Sequence, residues 1–180
     1  MFPGSFPATF PAGDWPLHVT IVPPFDTELD ADAVAALIPR VPPIPVVAAA
    51  RERFGAHRTV PVTVLRASEP LHALHLAVVD ALEAAGAVIR DQRHLRDGYR
   101  PHVTDQTAGR LHPGEHALLA ELSVVARASH STRTVAARIP LAPSAPDAPD
   151  SSQQLLSFSR ETPEREAKNS GAVGLSRGVD

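Results

Sequence analysis

Residues 15–25 read WPLHVTIVPPF, and the fold depends on which way His18 and Thr20 point. The run Val19-Thr20-Ile21-Val22 has the β-branched richness of a strand. Successive side chains of an extended chain alternate, so His18 and Thr20 project together while Val19 and Ile21 project to the other side. That shared face is either simply wet or a site.

A second stretch decides between the two. Residues 99–104 read YRPHVT, again an aromatic, two residues and then His-Val-Thr, with the two histidines 84 positions apart. The recurrence in two strand-like settings predicts a structural repeat in which each half presents one His/Thr pair. Two such pairs facing one another have a clear chemical use. An imidazole with a pKa near 6.5 can be neutral or charged at working pH, so two of them can serve as base and acid in one turnover. Two threonine hydroxyls add donors for the nonbridging oxygens of a phosphate held between them. In-line displacement at phosphorus puts the attacking and leaving oxygens on opposite sides, one histidine to each.

Between the copies the pattern predicts two extended runs and a long helix. IPVVAAAR (44–51) and RTVPVTVLR (58–66) read as strands, with Pro61 placing the second near an edge. SEPLHALHLAVVDALEAAG reads as a helix, with Ser68 as N-cap, Pro70 in its first turn, an apolar stripe at Leu71, Leu74, Val78 and Leu82, and Gly86 as terminator. A shorter helix starts at Asp30 and ends at Pro39, and two more strands are expected at 118–126 and 133–141. Strands and helices do not alternate regularly, which favours α+β over a doubly wound sheet.

Composition narrows the class. The chain has 180 residues, 43% of them hydrophobic, enough for one ordinary domain with a core. It has no cysteine, which excludes disulfides, zinc-thiolate sites and a cysteine nucleophile. Up to Ala142 there are 13 arginines against 14 acidic residues, net −1, so no basic field exists to hold long nucleic acid by counterion release. No stretch approaches the ~20 apolar residues of a membrane span, and MFPGSFPATFPAG lacks the features of a secretory signal. The expectation is a cytoplasmic monomer without a membrane partner. Prolines at 140, 143, 146 and 149 open a Pro/Ser-rich region, and 143–180 is expected to be a disordered tail. The division expected is therefore a Pro-rich segment at 1–14, a catalytic domain at 15–142 and the tail.

His18-Val19-Thr20-Ile21 and His102-Val103-Thr104-Asp105, with the flanking WPLHVTIVPPF and GYRPHVT, resemble the paired His-x-Thr-x motifs of the 2H phosphoesterase superfamily, in its 2′-5′ RNA ligase and RNA 2′,3′-cyclic phosphodiesterase branch. The resemblance covers roughly residues 15–141. It implies a bilobal α+β fold of mainly antiparallel sheets, pseudo-twofold about a central cleft, with two main helices outside. It implies chemistry without cofactor or metal on a small nucleotide or RNA end: a 2′,3′-cyclic phosphate opened to a 2′-phosphate, or related ligation. Carried over, His18 is the acid and His102 the base, and Thr20 and Thr104 hold the phosphate. Asp105 departs from the apolar residue usual in the family, where an anion could repel the phosphate. The family also normally begins with a strand and a helix before the first motif, so an edge strand is expected to be missing here. A catalytically idle member that binds a nucleotide or RNA end is the first rival, and an interaction protein working through its tail is the second.

Other residues are weaker candidates. Alternation points Arg100 towards the motif face, as a phosphate ligand or as a solvated arginine. Arg58 is weaker still. Trp15 and Tyr99 either stack a base at the cleft rim or pack beneath the motifs. HPGEH at 112–116 matches a zinc pattern in form, but Pro113-Gly114 makes it a turn. His72 and His75 lie three apart on the long helix with no third ligand evident, so packing is the better account.

Overall fold

The structure, a computed structural model, describes residues 7–142 of the chain. The expected tail at 143–180 lies outside the described residues. The architecture is α+β: two helices and mostly antiparallel strands in sheets of four, three and two. Among the described residues no helix is long and apolar enough to cross a membrane.

The long helix forms as its sequence predicts. It spans Glu69–Ala84, here α2, the shorter α1 being Ala31–Leu37. The α2 N-cap is Ser68, though its hydroxyl makes no capping bond. At the other end Gly86, with φ +83°, lets Ala87 N–H reach Leu82 O at 2.9 Å and Gly86 N–H reach Glu83 O at 3.0 Å. Those two bonds satisfy carbonyls the helix would otherwise leave open. The predicted stripe of Leu71, Leu74, Val78 and Leu82 is buried, and so is His75. Leu71, fully excluded from water, would cost about 2–5 kcal/mol to truncate to alanine. At α1, Asp30 accepts Ala33 N–H at 2.8 Å as a true side-chain cap.

Strands Ile44–Phe54 (β3) and Val60–Leu65 (β4) form an antiparallel hairpin, joined by His102–Thr104 (β6) and His116–Leu119 (β7) in the order β6-β4-β3-β7. β4 is thus interior, where Pro61 had predicted an edge. The proline is tolerated because it sits one residue into β4: Asp105 N–H donates to Pro61 O at 3.1 Å, and only the return bond is missing. The register of β3 shifts between Ala48 and Ala50. Ile44, Val46 and Ala48 face the core before that bulge, and Arg51 continues the same face after it, paired with Thr63.

The run expected as one strand over 118–126 is two, because the chain changes sheets at Ala120. β7 stays with β3, whereas Glu121–Arg127 (β8) pairs with Thr132–Pro140 (β9). The bend is pinned by Leu141 N–H donating to Ala120 O at 2.8 Å. An edge strand is present before the first motif: Thr9–Pro11 (β1) pairs antiparallel with β9. Phe25–Asp26 (β2) and Val88–Ile89 (β5) make the smallest sheet. The main core lies between α2, β3, β4 and β6, and Val103 is part of it.

Candidate active site

The first His-Val-Thr segment is not a regular strand, contrary to its β-branched reading; Pro16 and the Pro23-Pro24 pair leave it little length over which to ladder. What it forms is one antiparallel bridge, Val19 to Val103. This bridge extends the four-stranded sheet by one step on the free edge of β6. Val103 is fully buried, and Val19 packs against the same core. Alternation from that valine pair turns His18, Thr20, His102 and Thr104 to the opposite face together. Antiparallel register sets His18 across from Thr104 and Thr20 across from His102. Opposed pairs of this kind have Cβ atoms about 4.5–5.5 Å apart and diagonal pairs, such as the two histidines, about 7–8 Å.

Both histidines are oriented by the same bond. His18 Nδ1 lies 2.8 Å from Pro16 O, and His102 Nδ1 lies 2.8 Å from Arg100 O, in each case the carbonyl two residues upstream. A carbonyl can only accept, so Nδ1 carries a proton in both rings and Nε2 is the atom that gains or loses one. Burial holds the His18 pKa below the usual histidine value; the Pro16 bond acts against that, and the charge of a protonated His102 adds to it. That last contribution is itself a sign of the two imidazoles' proximity.

The walls differ. The Trp15 ring lies 5.0 Å from the His18 ring and edge-on to Phe10, while its indole N–H donates to Ala12 O at 3.0 Å. Against His102 stands Phe54, at 4.7 Å between ring centres. The Arg100 guanidinium lies 5.0 Å from the centre of the Phe54 ring and pairs with Glu52 at 2.8 Å. Glu52 and Phe54 share the face of His102 because the bulge in β3 swaps its alternation. Val62 and Val64, the β4 neighbours of Thr104 and His102, are buried and complete that face.

Asp105 does not share the face of the two histidines. Alternation sends it to the Val103 side, where it accepts from Arg51 Nη1 and Nη2 at 2.6 Å each. Arg51 Nη1 also donates to Thr63 Oγ1 at 2.9 Å, and the buried Thr63 hydroxyl donates to Leu111 O at 2.6 Å. The Arg51 bonds hold the Asp105 pKa below the ordinary carboxylate value.

Tyr99 packs beneath the motifs. Its ring lies flat on His75, 3.9 Å between centres and 2° between planes, and its hydroxyl donates to Thr20 O at 3.2 Å. Burial pushes its phenol pKa up. Arg58 sits in the β3–β4 turn with φ +50° and is exposed. Pro113-Gly114 form a turn, Gly114 having φ +88°, and among the described residues no group of His, Asp and Glu is arranged to hold a metal. Phe54, Glu52 and Arg51 escaped the sequence reading. Their signal was the apolar alternation of IPVVA breaking into ARERF, which marks the bulge.

The sequence profile of the 2′-5′ RNA ligase superfamily matches residues 6–142. A crystal structure of a phosphoesterase is similar with a TM-score of 0.48 at 19% identity, over 69% of this chain and 76% of that one. No curated protein matches.

Proposed function

The chain belongs to the 2′-5′ RNA ligase superfamily, among the 2H phosphoesterases, and on that premise we propose that it is a metal-independent phosphodiesterase that opens 2′,3′-cyclic phosphates of nucleotides or RNA ends to 2′-phosphates. The supporting observation is the Val19–Val103 bridge, which gathers both His/Thr pairs on one face. In the proposed reaction the phosphate lies between the pairs, its nonbridging oxygens accepting from Thr20 and Thr104. Water attacks phosphorus as His102 Nε2 takes its proton. The bond from phosphorus to the ribose 3′ oxygen breaks, and that oxygen takes a proton from His18 Nε2. One proton enters and one leaves the protein, so a transfer between the imidazoles through solvent resets the site.

The anionic substrate reconciles His18 with the role of acid. In the empty site burial favours its neutral form, but a phosphodiester anion beside it favours the imidazolium. With a ribose 5′ hydroxyl in place of water as the nucleophile, the same groups would form a 2′-5′ phosphodiester as the bond to the 3′ oxygen breaks, which is ligation. The test is incubation of the full chain with 2′,3′-cyclic AMP, CMP, GMP and UMP in EDTA, with products resolved by phosphorus NMR. The expected product is the 2′-phosphate. No turnover of these nucleotides or of an RNA ending in a cyclic phosphate would overturn the reading.

A further inference from the structure

His75 is a fully buried titratable side chain that the proposed chemistry does not use. Its ring is not merely packed. Nδ1 lies 2.6 Å from Ile21 O, and Nε2 accepts the N–H of Arg96 at 2.8 Å. With Nδ1 as donor and Nε2 as acceptor, the bonds require the neutral ring. Burial, and the neighbouring charges of His72 and Arg96, also favour that form.

The two partners lie at informative places. Ile21 immediately follows Thr20, and Arg96 begins the 3₁₀ turn Arg96–Gly98 that leads into Tyr99 and on to His102. Tyr99 in turn lies flat on His75 and reaches back to Thr20 O. Two hydrogen bonds and one ring stack therefore tie the exit of the first motif and the approach to the second to a single residue of α2, and the Tyr99 hydroxyl adds a bond from one segment to the other. That helix is anchored in the core through Leu71, Leu74, Val78 and Leu82. The direct link between the motifs, by contrast, is one bridge.

We propose that His75, with Tyr99 stacked on it, is a positioning residue that fixes the separation and alignment of the two His-Val-Thr segments. In its kinetic consequence this rests on the phosphodiesterase reading above. A displacement of about 1 Å at reacting groups is enough to cost about a hundredfold in rate, so the span between two imidazoles on separate segments needs such a constraint.

The test compares His75→Leu, which orphans Ile21 O and Arg96 N–H, with His75→Gln, whose amide offers a donor and an acceptor side by side. With 2′,3′-cyclic AMP, well below each variant's melting temperature, His75→Leu is expected to lose at least about tenfold in kcat with KM within about threefold, and His75→Gln to recover most of the loss. A folded His75→Leu protein with native kcat, or a His75→Gln protein as slow as it, overturns the proposal. If His75→Leu does not fold, Tyr99→Phe decides, because it removes only the hydroxyl bond to Thr20: a fall of about threefold or more in kcat supports the proposal and native kcat overturns it.

A second measurement needs no turnover and separates the two readings. The His18 ring is titrated by NMR with and without His102→Ala. In the otherwise native chain, removing His102 is expected to raise the His18 pKa, since a charged His102 lowers it. In His75→Leu, or in Tyr99→Phe should the former not fold, that response is expected to shrink, because the rings are no longer held in register. An undiminished response overturns the positioning role even if no substrate is ever turned over.

Discussion

Asp105 and Arg51 share two parallel N–H···O bonds of 2.6 Å, so the carboxylate that follows Thr104 is neutralised on the far side of the sheet from the Thr104 hydroxyl. Asp105 is 19% exposed and Arg51 34%, a half-buried pair. Replacing Asp105 by leucine leaves the guanidinium without its main partner and is expected to cost about 1–2 kcal/mol in urea unfolding at neutral pH. Arg51→Met combined with Asp105→Leu should recover most of that loss, since two apolar side chains fill the same space without an orphaned charge. If Asp105→Leu alone is as stable as the native chain, the pair contributes nothing.

Stability should fall on mild acidification for an identifiable reason. His18 and His75 both have pKa values below the ordinary 6.5 in the folded chain. The unfolded chain therefore binds more protons between 6.5 and the folded values, and their contribution is present above pH 6.5 and lost as pH drops through that window. His75→Gln should flatten part of the decline below pH 6.5, measured by urea unfolding at each pH. An unchanged slope would mean that His75 titrates the same way in both states.

Replacing His18 or His102 by alanine should lower kcat by about 10²–10⁴-fold. A substrate with a nitrophenolate leaving group distinguishes their roles. Such a group departs without a proton, so it should rescue the loss of the acid, His18→Ala, and not the loss of the base, His102→Ala. In the native enzyme the kcat/KM profile should be a bell with one limb below 6.5, because burial favours neutral His18 in the empty site. The corresponding limb of kcat should move to higher pH, because the bound phosphate anion favours imidazolium. Coincident limbs would argue against an anion seated between the rings.

Phe54 braces the His102 ring at 4.7 Å, as Trp15 does for His18 at 5.0 Å. Phe54→Ala should therefore cost about tenfold in kcat through a less constrained His102, whereas Phe54→Leu, which keeps an apolar brace, should lose much less. Steady-state kinetics on both variants provide the check, and equal losses would point to a specific need for the aromatic ring.

Much of this architecture was legible in one dimension. The helix at 69–84 announced itself by its stripe, its first-turn proline and its terminal glycine, all local signals. The four residues of the two motifs could be named because alternation is a local rule and the tripeptide occurs twice. What stayed hidden depended on partners distant in sequence. Pro61 said edge, but β6 arrives from 40 residues later to cover it. Nothing around Ala120 marks a change of sheet, since strand propensity is continuous across it. Asp105 looked like an obstacle because its counterion, Arg51, is aimed by a bulge that no local pattern specifies beyond a break in alternation. His75 read as ordinary packing, and only the fold shows that both its nitrogens meet main chain.

The repeated Nδ1 bonds orient the two imidazoles alike, so in the proposed reaction this orientation would not by itself decide which ribose oxygen departs. On that proposal, regiochemistry would be decided beside the rings, where indole and backbone flank one and a phenyl, a guanidinium and a carboxylate flank the other. If the proposed substrate is the right one, inverting the sugar's orientation would be a matter of exchanging these walls, with both imidazoles left untouched.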